Sequence, residues 1–464
     1  MEQQQEKLTV TDFILRQIAE LSGNPGQMPP PAADEPLNLD GQVAPSLLKR
    51  LESRYGVELA DAAGNLPCPL TVQELTNIIT SRVKSRMSGQ VDAKTVFENF
   101  VFNNRCTHLT SPYELNIDTT FRCNLRCIFC YADSEKPDCA ADEMTTEQVF
   151  DVLENFAANN GAFVLFGGGE PFIREDFLEF VRFAKSKGLW TYIISNGSLI
   201  TPEVAREYAK YYDPAHDKIQ ISLDGSCPRV HDKQRGVVGA FDMTVSGIKN
   251  LVAQGIRPIL NTVVTRVNVD DIPNLIDLAV SLNAFTYRCL KLHKLGRGRK
   301  GLLHEKLSIS QEQADNLFAY LNKRRDELLG VMGIASDNAC VFPMSTKAIR
   351  DQFEKRPGLE PKSYACAAGT TKVAVAPNGG VVPCSYFYDF PELYVGSLKE
   401  RSLQQIWEDS SLWDLYRKPL QVKGKCERCG YLYACKTGCR IMAYVATGDM
   451  GAPDSGCTYD PDND

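Results

Sequence analysis

Cys123, Cys127 and Cys130 stand in a C-x3-C-x2-C run, and the last hundred residues carry a second array in which Cys366 and Cys384 precede Cys426, Cys429, Cys435, Cys439 and Cys457. Three thiolates wrapped around one face of a cubane iron-sulfur cluster leave one iron open, and an open iron can chelate a small molecule. Zinc is the competing occupant, because thiolates at these spacings also hold that metal. A second motif bears on the choice: Gly167-Gly168-Gly169-Glu170-Pro171 follows the apolar run that ends at Phe166. Glycines at a strand end admit a ligand close to the backbone, and the Glu170 carboxylate can accept from a cationic amine. Two later apolar runs end in Ser195-Asn196-Gly197 and Ser222-Leu223-Asp224-Gly225, which offer a hydroxyl, an amide and a carboxylate to the same pocket.

Positioning these groups takes a repeated scaffold. Short apolar runs at Tyr113–Ile117, Ala162–Phe166, Trp190–Ile194, Lys218–Leu223, Pro258–Val264 and Phe285–Leu290 read as strands. Amphipathic stretches at 146–158, 175–186, 202–211, 241–254 and 272–282 read as helices between them. Six such units predict an α/β fold, a partial (β/α)6 barrel whose reactive groups lie at the carboxyl ends of its strands. Residues 1–88 read as a helical unit, 89–300 as the barrel with a lead-in helix, 301–360 as a charged bridge and 361–464 as a C-terminal iron-sulfur domain. That last segment shows little continuous apolar pattern, so bound iron is expected to replace part of its core.

Composition narrows the function classes. The chain has 464 residues, 43% apolar and 23% charged, and a formal net charge of -7. That is a globular composition with no general attraction to nucleic acid. Its sixteen cysteines are grouped at metal-ligand spacings rather than as a disulfide framework. MEQQQEKLTV has no signal-peptide character, and no run approaches 18 apolar residues. A cytoplasmic protein with no membrane partner is expected, where thiols stay reduced.

The C-x3-C-x2-C run, with Phe129 before its third cysteine and Gly-Gly-Glu-Pro at a strand end, resembles the radical S-adenosylmethionine superfamily. That resemblance implies that Cys123, Cys127 and Cys130 hold a 4Fe-4S cluster whose open iron chelates S-adenosylmethionine. It further implies that Gly168, Gly169, Glu170 and Pro171 bind the ligand's amino group, with Ser195, Asn196, Asp224 and Arg235 around it and Arg235 on its carboxylate. The chemistry implied is reductive cleavage to a 5′-deoxyadenosyl radical that abstracts a substrate hydrogen, with an electron donor such as flavodoxin or ferredoxin. The distal array resembles the seven-cysteine SPASM domain: Cys366, Gly379 and Cys384, then C-x2-C-x5-C-x3-C and Cys457. Carried over, the resemblance gives Cys426, Cys429, Cys435 and Cys457 to one auxiliary cluster and Cys366, Cys384 and Cys439 to another. Cys340 is the candidate for that cluster's fourth ligand, so three 4Fe-4S clusters are expected.

SPASM-bearing relatives imply a peptide substrate: a ribosomal precursor that is crosslinked, oxidised or excised, or a sulfatase converted to formylglycine. A substrate held on a partner carrier protein is the alternative, and a non-catalytic electron-transfer or binding protein is a third. Residues 1–88 resemble a carrier domain at Leu37-Asn38-Leu39-Asp40-Gly41 and Tyr55-Gly56-Val57-Glu58-Leu59. Gly41 stands where carriers have the attachment serine, so no thioester can form there, and leader recognition is assigned to docking or to a separate protein. The basic stretch Lys291 to Lys300 could receive acidic side chains or a peptide backbone, or be a solvated loop.

Overall fold

The computed structural model describes residues 14, 72, 75–76, 108–109, 111–134, 142–336, 350, 366–417, 421–435 and 437–462. The chain divides into two compact units, 1–106 and 107–464. In the first, Ile14, Val72, Leu75 and Thr76 are helical and buried. The carrier-like motifs of that unit lie outside the described residues, as do Cys340, Cys68, Cys106 and Cys139.

The second unit is built on six βα steps. β1 (Glu114–Thr120), β2 (Phe163–Gly168), β3 (Trp190–Ser195), β4 (Lys218–Ser222), β5 (Ile259–Val264) and β6 (Thr286–Lys291) pair in sequence order, all parallel. The helices between them are α1 (Thr146–Ala158), α2 (Phe177–Ser186), α3 (Pro202–Ala209), α4 (Pro228–Arg235), α5 (Ala240–Ala253) and α6 (Ile272–Ser281). Helix starts are local and specific. Thr145 caps α1 in a reciprocal box with Gln148, and Thr201 caps α3 ahead of Pro202. Leu115, Ile117, Val164, Phe166, Ile193, Ile219, Ile221, Leu260 and Tyr287 join Val152, Phe156, Phe180 and Ile248 of the helices in one buried core. Each such side chain contributes roughly 1.5–3 kcal/mol by leaving water.

Strand periodicity then decides the other face. Asn116, Asp118, Leu165, Tyr192, Gln220, Asn261 and Arg288 alternate with core residues and therefore line the inside of the barrel. There Arg288 Nη1 donates to the Tyr192 hydroxyl (3.1 Å), which donates to Gln220 Oε1 (2.9 Å).

The sheet is longer than six strands. β7 (Gly333–Ser336), which follows α7 (Leu303–Leu307) and α8 (Gln311–Glu327), extends it parallel to β6. At the other edge β8 (Lys372–Val375) pairs parallel with β1, followed antiparallel by β9 (Gly380–Val382) and β10 (Gly396–Ser397). Among the described residues the order is β10-β9-β8-β1-β2-β3-β4-β5-β6-β7.

This corrects the expectation of a core-poor C-terminal segment. Val373, Val375, Val381, Leu403, Ile406, Trp407 and Trp413 all belong to the main core, through α9 (Leu403–Glu408) and α10 (Ser410–Arg417) as well as the strands. α12 (Arg440–Thr447) joins that core through Ile441 and Met442, while the stretch around α11 (Leu432–Cys435) has a small apolar nucleus of its own, Tyr431 against Tyr459.

Candidate active site

Cys123, Cys127 and Cys130 lie on the loop after β1, at the carboxyl ends of the strands. The loop is held from several sides. Arg126 N and Ile128 N donate to the carbonyls of Arg235 and Gln234, and Arg297 Nε donates to Cys127 O (2.9 Å). Arg297 Nη1 reaches Ser134 O (2.8 Å), while Arg297 and Lys300 pair with Asp133 at 3.6 and 2.8 Å. Gly296 completes the fit, because a Cβ there would collide with the carbonyl oxygens of Cys130 and Tyr131. The basic stretch is therefore a brace on the cysteine loop, and at least these two of its cations are engaged.

Glu170 is fully buried behind the loop. Its carboxylate accepts from Ser195 Oγ (2.8 Å), Asn196 N (2.7 Å) and Phe172 N (3.2 Å). Burial pushes its pKa up to about 7 against those hydrogen bonds. A group held at that threshold ionises fully when a cation arrives. Gly168 has φ +122°, and a Cβ on Gly169 would strike the carbonyl of Arg122, so strand β2 meets the cysteine loop only through glycine. Pro171 opens a short 3-10 turn that carries Phe172 N back to Glu170.

The opposite wall is ionic. Arg235 Nη2 pairs with buried Asp224 at 2.6 Å, its Nη1 lies 3.5 Å from Cys127 Sγ, and its guanidinium stands 5.7 Å from the Phe129 ring centroid. Burial opposes its charge, but Asp224 and the Cys127 sulfur outweigh burial and keep it a cation. Asn196 Nδ2 donates to Asn124 Oδ1 (2.9 Å) and stands 4.0 Å from Cys123 Sγ, while its Oδ1 accepts from Ser198 N. Ser195 is engaged by Glu170. His231 Nδ1 accepts from Asp224 N (3.1 Å), and burial lowers its pKa to about 3, so it is a neutral ring.

Asn124 and His231 escaped the sequence reading, and Arg297 entered it only as part of the basic stretch Lys291 to Lys300, without its role. Arg297 grips backbone carbonyls, which leave no mark in a sequence.

In the distal array, Cys426 and Cys429 sit on and just after the turn Gly424–Arg428, Cys435 ends α11, and Cys457 follows the Asp454 turn. Cys429, Cys435 and Cys457 pack around the Tyr431–Tyr459 pair. Burial first, then Cys457 and Cys426, push the Cys435 thiol up to about 12, and Cys426 rises to about 11 chiefly by burial and then Cys457. These four thiols thus share one neighbourhood. Cys439 precedes α12 and donates its N–H to Asp454 Oδ2 (2.8 Å), Cys384 lies beside Tyr131, and Cys366 opens the described C-terminal segment. Cys289 is a buried core thiol and Cys227 precedes α4.

Among the described residues no three His, Cys, Asp or Glu side chains converge on one metal ion. Cubane ligands each hold a different iron and surround the cluster rather than converge on one ion. The cradle also fits a zwitterionic ligand. Glu170 awaits a cation, and the buried Nε of Arg235 is an unpartnered donor for an anion. A cavity of about 250 Å³ lies elsewhere, lined by Met144, Asp151, Val152, Gly379, Leu398 and Arg401.

Two family models match this chain: the radical SAM superfamily over residues 117–279, and SPASM, an iron-sulfur cluster-binding domain, over 366–430. Mycofactocin maturase MftC of Mycolicibacterium smegmatis is 32% identical over 75% of this chain and 83% of its own length. The chain belongs to the radical SAM superfamily. It is a radical SAM enzyme with a SPASM domain, and its cofactors are S-adenosylmethionine and iron-sulfur clusters.

An AdoMet-dependent heme synthase of Methanosarcina barkeri is 29% identical over 76% of this radical SAM chain and 97% of its own length. In fold, the chain is similar to Streptococcus suis SuiB bound to its precursor peptide SuiA, with TM-score 0.67, 19% identity and 90% of each chain covered. It is also similar to anSMEcpe bound to AdoMet and a peptide, with TM-score 0.56, 16% identity, and 75% and 94% covered. No helix among the described residues is long and apolar enough to cross a membrane.

Proposed function

We propose that this enzyme modifies a ribosomally made precursor peptide by abstracting one hydrogen from it. The observation that carries the reading is the buried Glu170 carboxylate, braced by Ser195 and Asn196 at the edge of the Cys123–Cys130 loop. It is supported by the likeness to the mycofactocin maturase MftC and to SuiB bound to its precursor peptide SuiA.

In this reading Cys123, Cys127 and Cys130 hold the initiating cluster. The cradle of Gly168, Gly169, Glu170 and Pro171 takes the ligand's amino group, and Arg235, oriented by Asp224, takes its carboxylate. Asn196 and Phe129 flank the ligand. When bound, that pair of cofactors supplies the 5′-deoxyadenosyl radical. The chain's own residues orient the ligand and keep water from it. Cys426, Cys429, Cys435 and Cys457 hold one auxiliary cluster, and Cys366, Cys384 and Cys439 hold a third with Cys340. The domain limits at 88, 300 and 360, a flavodoxin or ferredoxin donor, a separate leader-recognition or carrier protein and a cytoplasmic site complete the proposal.

The heme synthase match over 97% of that relative supports a heme precursor as substrate in a second reading. Co-expression with the small open reading frames beside the gene, followed by mass measurement, separates the two. A mass change on a peptide supports the first reading. No change on any peptide, with cleavage of S-adenosylmethionine intact and an iron porphyrin precursor converted, overturns it.

A further inference from the structure

Three side-chain oxygens on the inside of the barrel are buried without a hydrogen-bond partner: Oδ1 of Asn116, Asp118 and Asn261. Asn116 is 7% exposed, Asn261 4% and Asp118 0%. Leaving a buried acceptor unpaired is costly, so each needs a reason. Their polar neighbours give none, since Arg288, Tyr192 and Gln220 bond to one another. Asp118 accepts from the Tyr131 hydroxyl through Oδ2 at 3.4 Å and has the Tyr388 hydroxyl beside its carboxylate, while Oδ1 itself has no hydrogen-bond partner. Gly167 packs directly against that oxygen, since a Cβ there would fall 2.7 Å from it.

The three oxygens lie on the inner face of the barrel, and Asp118 pairs in register with Gly167, three residues before Glu170. A donor arriving from outside would satisfy them. An asparagine side chain also carries an NH2 donor, so it offers the same donor and acceptor pair as a backbone amide.

We propose that Asn116 and Asn261 form a subsite that pairs with backbone amides of an extended substrate segment, with Asp118 Oδ1 accepting a third N–H. This rests on the peptide reading above and adds how the peptide is held. β1 and β5 are four strands apart, and at about 4.8 Å per strand the arc between them is on the order of 20 Å. Roughly six extended residues span that arc. Recognition of this kind ignores side-chain identity and is blocked where an amide N–H is missing.

The test uses the full, anaerobically reconstituted chain with S-adenosylmethionine, and saturation-transfer NMR of two probes. Acetyl-hexaglycine amide has peptide groups, no side chains and the length to reach both asparagines. Its hexa-sarcosine counterpart has the same skeleton with those six N–H groups methylated. The expected result is saturable binding of the glycine probe, roughly tenfold weaker binding of the sarcosine probe, and a similar loss in N116L/N261L. Equal binding of the two probes to the wild-type protein, or no binding of either, overturns the proposal without relying on any variant. If a peptide gains mass on co-expression while the probes bind equally, the subsite falls and the peptide reading stands. If the probes are discriminated and no peptide is modified, the reverse holds.

Discussion

Cys123, Cys127 and Cys130 are held by distant parts of the chain: the backbone of α4, the glycines after β2 and the Arg297 brace after β6. Cys426, Cys429, Cys435 and Cys457 are held mostly by short turns and one aromatic pair, with side-chain hydrogen bonds from Lys291 to Gly456 O and from Thr458 to Gln311 as longer-range ties. The first array is a site placed on a rigid scaffold. The second has fewer long-range ties and is expected to rely on bound iron for part of its order. The contrast teaches where each kind of damage should spread.

The sharpest way to break the comparison is to remove one thiol from each array. Cys123→Ala is expected to bring 5′-deoxyadenosine formation to background and lower iron by roughly a third, with the fold retained. Cys435→Ala should instead expose the C-terminal stretch to protease. Equal proteolysis of both variants would erase the distinction.

Next is the brace. Arg297→Ala removes two hydrogen bonds from a charged donor, each contributing about 1.5–3 kcal/mol, and should loosen the first cluster while leaving the auxiliary iron in place. Electron paramagnetic resonance before and after addition of S-adenosylmethionine reports this directly. Arg297→Lys should rescue poorly, because a point charge cannot reach Cys127 O and Ser134 O together.

The pH dependence of ligand binding comes third. Glu170, raised to about 7 by burial, is neutral below that pH and must lose its proton to receive an ammonium. Affinity for S-adenosylmethionine should therefore fall about tenfold per pH unit below 7, and level off above it until the ligand's amine itself titrates near 8. Calorimetry from pH 5.5 to 8 checks the slope, and Glu170→Gln should flatten it at a weaker affinity.

The smallest effect belongs to the aromatic pair. Tyr459→Leu should cost about 0.5–1.5 kcal/mol, visible as faster iron loss to a chelator from the distal array alone.

Much of this was legible in the residues themselves. Strand and helix periods placed all six βα steps within a few residues, and glycines beside Glu170 marked the cradle. What stayed hidden depends on partners far away in the chain. β8 is four residues long and reads as nothing until its pairing with β1 is seen. The Trp407 and Trp413 core was masked because its apolar residues sit on short helices with little period. Asn116 and Asp118 alternate with Leu115 and Ile117, a visible signal whose meaning depended on knowing which face was inside.

The pairing of β8 with β1 also sets an order of events during synthesis. β1 leaves the ribosome about 250 residues before the strand that covers its outer edge. At about 5–20 residues per second, that edge stays open for tens of seconds. An open strand edge is a template for unwanted pairing, so the nascent enzyme passes through a period in which it must be shielded. Metal delivery to the first array can begin within that interval, well before the distal thiols exist.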